Sequence, residues 1–229
     1  VTLDDSIDRV RDALGKTEPQ RTPVAPESAV LAPLVLREDG LHLLFTRRAR
    51  TLSNHAGEIS FPGGRIEATD ASPLDAALRE THEEIGVEGA RVDVLGHLVD
   101  FLTFRRFVVA AYVGVLRDED LRAVKNAEVD EAFLIPVKDL LSPQLLGATP
   151  RRVASGSVRL MAVNAERFES RRFEGLPESE RTILYWKLSN GLTLWGITGQ
   201  LVAAFLQRCY DWKPPGTPRV VTGAEDVLP

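Results

Sequence analysis

Glu80, Glu83 and Glu84 are related as i, i+3 and i+4 along the chain. On a helix this spacing projects three carboxylates from neighbouring positions of one face, where like charges repel. A shared hard cation reverses the sign of that interaction, and three oxygen donors suit Mg²⁺ or Mn²⁺. The plain alternative is a solvated acidic face, with Glu80 merely paired to Arg79. Just upstream, Gly63 and Gly64 follow the sequence Ile59-Ser60-Phe61-Pro62, which reads as a strand end. Missing side chains there let main-chain carbonyls approach a metal or a phosphate.

The element that must position the carboxylates is a helix over 73–86. Ser72 is a suitable N-cap, Pro73 fits the first helical position, Asp75 favours the first turn, and Gly86 can end the helix in a left-handed conformation. Leu74, Ala77, Leu78, Thr81 and Ile85 form one stripe at helical spacing, which predicts the buried face. The three glutamates lie off that stripe, so they are expected on the exposed face.

The segment 63–87 resembles the signature of the Nudix family, with Gly64, Arg79-Glu80, Glu83-Glu84, Gly86 and Val87 matching. Three positions depart from it. Asp70 stands where glutamate is usual, eight rather than seven residues separate it from Arg79, and Thr81 replaces an apolar residue. The extra residue falls in the loop before the helix. The resemblance implies an α/β/α sandwich built on a mixed β-sheet, in the α/β class. It also implies that the Gly63 carbonyl, Glu80, Glu83 and Glu84 bind Mg²⁺ or Mn²⁺, and that Arg79 orients the glutamates. Glu67 matches an acidic position often found after the glycine pair. Divalent ions would neutralise a diphosphate, lower the pKa of a bound water and align it for attack. A carboxylate from a later loop, Glu128 or Glu131, is a candidate to accept the water's proton.

Upstream, residues 44–64 resemble the additional motif of the coenzyme A pyrophosphatase branch. Thr46, Arg48, Ala49, Gly57 and Phe61-Pro62-Gly63-Gly64 match, while Ser53 stands in place of an arginine. The implied activity is hydrolysis of the diphosphate bond of coenzyme A or a derivative, giving 3′,5′-ADP and 4′-phosphopantetheine or its acyl or disulfide form. Arg47, Arg48, Arg50 and Gly64 are the expected substrate-binding residues, since guanidinium groups match phosphate oxygens in a bidentate way. Ordinary surface arginines are the alternative. Other nucleoside diphosphate derivatives such as ADP-ribose or NADH remain open as substrates, as does a noncatalytic nucleotide-binding module. His55 and His82 are expected to be structural.

The remaining elements must carry this site. Leu3, Ile7, Val10 and Leu14 mark one face of a short N-terminal helix, and a proline-containing linker follows it. Strands are expected at 29–36, 41–47, 92–102, 106–116, 132–137, 158–163, 182–188 and 192–196. Further helices are expected at 197–209 and 136–141. These divide the chain into a helix and linker (1–28), a catalytic domain (29–209) and a proline-containing tail (210–229). Tyr185, Trp186 and Trp195 are expected in the core rather than against a base.

Composition narrows the function classes. A net charge of -5 argues against a nonspecific nucleic-acid partner. Of 28 lysines and arginines only five are lysine, which favours the side chain suited to phosphate. The single cysteine, Cys209, excludes an internal disulfide and any multi-cysteine zinc site. No apolar run approaches the roughly 20 residues of a membrane span, so a cytoplasmic enzyme acting on a small molecule is expected.

Overall fold

A computed structural model of the chain describes residues 3–16, 22–52, 55–103, 107–117, 126–144, 146–153, 179–188 and 190–213. The strand expected at 158–163, Ser53 and most of the expected tail lie outside these residues.

The chain from 28 to 48 alternates too little to leave one face in water, and it folds into a buried hairpin. Strands β1 (Ser28–Arg37) and β2 (Gly40–Arg48) run antiparallel, with Arg37 opposite Gly40. Ala29, Leu31, Ala32, Leu34 and Val35 are all fully buried, as a strand covered on both faces requires. On its other side β1 runs parallel to β6 (Val108–Leu116), from Ser28 opposite Val109 to Val35 opposite Leu116. Strand β5 (Asp93–Leu102) pairs antiparallel with β6, and β7 (Val129–Pro136) pairs antiparallel with β2. Two short strands complete this seven-stranded mixed sheet. They are β3 (Ile59–Ser60), beside β2, and β4 (Gly63–Arg65), beside the first residues of β1.

Alternation along β1 sends its side chains to two separate cores. Leu31 and Val35 pack with Ala76, Ala77 and Ile85 of helix α2 (Pro73–Ile85) on one face. Ala32 and Leu34 join a larger cluster on the other face, with Val10 and Leu14 of α1 (Leu3–Lys16) and Phe205 and Leu206 of α4 (Gly196–Tyr210). The mixed sheet between helices is the α/β architecture that the sequence implied.

After β7 a short helix α3 (Val137–Leu140) leads to a second, three-stranded antiparallel sheet in the order β10-β9-β8. Its strands are β8 (Leu146–Val153), β9 (Ser179–Lys187) and β10 (Thr193–Leu194), of which β8 was not expected. Trp186 is fully buried and its indole N–H donates to the Leu140 carbonyl at 3.0 Å, satisfying its one polar atom. Tyr185 and Trp195 are half-buried.

Candidate active site

Helix α2 begins and ends as its sequence dictates. The Ser72 hydroxyl accepts from the Asp75 amide, Pro73 occupies the first turn, and Gly86 adopts φ 74° while its N–H donates to His82 O. Thr81, the polar intruder in the apolar stripe, is buried with its hydroxyl donating to Ala77 O at 2.7 Å. The departure from an apolar residue is therefore satisfied within the helix.

Strand β4 brings the glycine pair against this helix. Gly63 has φ 153°, and a Cβ there would overlap the Ala29 carbonyl and Val30. A Cβ at Gly64 would overlap the Glu80 carboxylate. Gly64 is thus the space in which the Glu80 side chain lies.

Arg79 organises the first of two linked clusters. Its Nη1 donates to Glu80 at 3.1 Å and to Glu83 at 3.2 Å, and its Nη2 donates to Arg65 O at 3.0 Å. Its other donors engage Asp70, with Nε to Oδ1 at 3.0 Å and Nη2 to Oδ2 at 3.1 Å. Asp70 also accepts from the Glu67 amide at 2.8 Å, and the Arg79 guanidinium holds its carboxyl below the usual range. Despite its shifted spacing, Asp70 grips Arg79 in a two-pronged pair. Glu67 takes part through its main chain, and its side chain is exposed.

Glu84 anchors the second cluster, and its position corrects the expected exposed face. Glu83 is exposed, but Glu84 retains only 3% of its surface. It faces Thr46 Oγ1 at 3.5 Å, and Thr46, fully buried, contacts Ser60 Oγ at 3.1 Å. A polar pocket between β2 and β3 therefore receives this side chain where the apolar stripe alone predicted solvent. Burial pushes the Glu84 carboxyl up to about 8, with the nearby charges of Glu80 and Glu128 adding to the shift and Arg48 opposing it. Burial also raises Glu80, against the pull of Arg79 and with repulsion from Glu83 and Glu128.

Glu128 and Glu131, equal candidates from sequence, part company. Glu128 is exposed with its charge felt at Glu80 and Glu84, whereas Glu131 is in an ion pair with Arg47 Nη1 at 3.2 Å. Arg47 is also 4.0 Å from Asp130, so it is engaged with β7. Arg48 sits at the end of β2 beside Glu84, and its buried Nε has no hydrogen-bond partner. Arg50 is exposed. His55 and His82 are in contacts with Glu58 and Glu88.

Asn126 was not singled out by sequence. Its side-chain amide donates to the main-chain carbonyls of Glu83 at 3.3 Å and Glu84 at 3.1 Å. Its Oδ1 accepts from the amides of Glu128 at 2.9 Å and Val129 at 2.8 Å. An isolated asparagine carries no local signal for contacts to residues 42 and 43 positions away.

Among the described residues, no three acidic, imidazole or thiol side chains form a ready-made metal cage. The donor set still fits a hard divalent cation. Glu80 and Glu84 are carboxylates removed from water beside further negative charge, an arrangement that a cation relieves. As they stand, Glu80 and Glu83 are directed to Arg79.

A NUDIX domain model matches residues 25–155. The mouse protein "Peroxisomal coenzyme A diphosphatase NUDT7" is 39% identical over 118 residues, 51% of this chain and 50% of its own length. The "Uncharacterized Nudix hydrolase NudL" of Enterobacter sp. is 35% identical over 149 residues, 62% of this chain and 72% of its own. The match thus spans about half the length of the mouse relative. A solved NUDIX hydrolase from Alicyclobacillus acidocaldarius is 19% identical, with a TM-score of 0.40 over 55% of this chain and 82% of that one.

Proposed function

This chain belongs to the Nudix family, and we propose that it is a hydrolase that uses Mg²⁺ or Mn²⁺ to split the diphosphate bond of coenzyme A or one of its derivatives. The observation that carries the reading is the Glu80 carboxylate lying against Gly64, with Arg79 fixing both Glu80 and Glu83.

Glu80, Glu83, Glu84 and the Gly63 carbonyl would hold the ions. Bound there, such ions neutralise the diphosphate and make water a better nucleophile. Asp70 fixes Arg79, which sets the rotamers of Glu80 and Glu83. Thr46 holds the buried Glu84. Glu128 takes the proton of the attacking water as its oxygen bonds to one phosphorus and the bridging P–O bond breaks. The pairing of Glu131 with Arg47 favours Glu128 over Glu131 for that role.

Coenzyme A is supported by the upstream motif, by the printed name of the mouse relative, and by the Arg48 guanidinium. Arg48 is a partly exposed cation whose charge is felt at Glu84, and a guanidinium so placed suits a phosphate oxygen. Arg47 is already committed to acidic partners and serves the fold first. The substrate is a small molecule, with the cytoplasm as the proposed compartment. No helix of the described residues is long and apolar enough to cross a membrane.

The test is a substrate panel of coenzyme A, acyl-coenzyme A, coenzyme A disulfide, ADP-ribose and NADH, with either metal and products identified by mass. Release of 3′,5′-ADP and the phosphopantetheine fragment is expected, lost in excess EDTA and restored by metal. A preference for ADP-ribose or NADH overturns the coenzyme A assignment and leaves diphosphate hydrolysis standing. Full turnover in EDTA overturns the metal role.

A further inference from the structure

The end of α2 and the start of β7 are 44 residues apart in sequence, yet the proposed chemistry needs Glu84 on one and Glu128 beside the other in fixed relation. The last carbonyls of a helix have no partner within it, and something must satisfy them. Here Asn126 does so for Glu83 and Glu84, the two ligand-bearing residues nearest the helix end. The same side chain caps the turn that follows it by accepting from the amides of Glu128 and Val129. The Asn126 amide donates to Val129 O at 2.9 Å, and Glu128 O accepts from the Ala49 amide at 2.7 Å, so the turn is also tied to the end of β2.

We infer that Asn126 is a positioning residue, holding Glu128 at a set distance from the metal-binding glutamates by bridging the α2 carbonyls to the Glu128 turn. One planar amide makes both halves of the bridge, donating through its nitrogen and accepting through its oxygen. A displacement of Glu128 relative to Glu84 therefore breaks one half or the other. The inference rests on the reading of the chain as a metal-dependent diphosphatase in which Glu128 accepts the proton.

The experiment is a double-mutant cycle on the full chain, with kcat and KM measured at saturating Mg²⁺ on coenzyme A for wild type, Asn126→Asp, Glu128→Gln and the double variant. Asn126→Asp keeps the oxygen that caps the turn and replaces the donor with a second oxygen facing the two carbonyls. Asn126→Ala repeats the cycle without an added charge, and thermal melts confirm that every variant is folded at the assay temperature. Asn126→Asp should lower kcat roughly 10- to 100-fold with little change in KM, the range seen for groups that orient active-site residues. In the Glu128→Gln background the same change should cost less than about twofold, because there is no carboxylate left to position.

Equal losses in both backgrounds, or no loss on the wild-type background, overturn the role of Asn126 alone. A silent Glu128→Gln overturns it too, by removing the group it positions. A wild type with no metal-dependent turnover overturns the underlying reading instead, so the two failures are told apart by the first measurement.

Discussion

Holding the Glu84 carboxylate ionised at 3% exposure, with one long hydroxyl contact, opposes folding, and the charge of Arg48 offsets that cost only in part. Replacing Glu84 by Gln keeps the volume and removes the buried charge. In EDTA, Glu84→Gln is therefore expected to melt at or above the wild-type temperature while kcat falls roughly 100-fold or more, the scale of losing one preorganised electrostatic contact. Melting curves and steady-state kinetics on one preparation check both halves, and a less stable metal-free variant contradicts the account. At this scale the sequence was readable wherever partners were close. Arg79, Glu80, Glu83 and Glu84 lie within six positions on one helix, so their adjacency follows from helical geometry. The grip of Asp70 on Arg79 was hidden because a loop, with no fixed period, sets their distance. The burial of Glu84 was hidden because the pocket receiving it comes from Thr46 and Ser60, on two other strands.

Strand β4 and helix α2 meet so closely that neither glycine of the pair can be exchanged freely, for different reasons. Gly63→Ala must place a Cβ into the backbone of β1 at a φ that favours glycine. It is expected to cost about 2–4 kcal/mol of stability, combining backbone strain with overpacking. Gly64→Ala meets the flexible end of Glu80 instead, so it should fold with a smaller loss and show its effect as lower kcat and weaker Mn²⁺ binding. Chemical denaturation and metal titration separate the two outcomes. Element by element, α2 was legible because its caps are local, and β1, β2, β5 and β6 because their apolar runs are long. Strands β3 and β10 were anticipated at Ile59-Ser60 and within 192–196, although each is only two residues long. Strand β8 escaped because Pro150, Arg151 and Arg152 spoil its alternation, and it is an edge strand, where proline is tolerated.

Across the whole molecule, α1, α4 and β5 are fastened together away from the site. Arg208 donates to the carbonyls of Leu14, His97 and Leu98, and Arg9 donates to the Cys209 carbonyl. Cys209 is buried within this joint, and burial pushes its thiol up to about 12. At pH 8 it should resist alkylation in the native protein and react at once in denaturant, and Cys209→Ser should leave kcat within about twofold, since the inferred chemistry uses no thiolate. Mass spectrometry of iodoacetamide-treated protein reads the first outcome. The parallel pairing of β1 with β6 carries a different consequence, for how the chain folds. Ser28 lies opposite Val109, so the sheet's centre closes only when segments 81 residues apart come together. Contacts so distant in sequence are entropically costly to form and slow folding. The hairpin of β1 and β2 has no such barrier. Every proposed metal ligand lies inside that long excursion, among contacts more local than the closure itself. An ion that stabilises the finished protein without stabilising that closure would lengthen its native lifetime more than it changes its rate of formation.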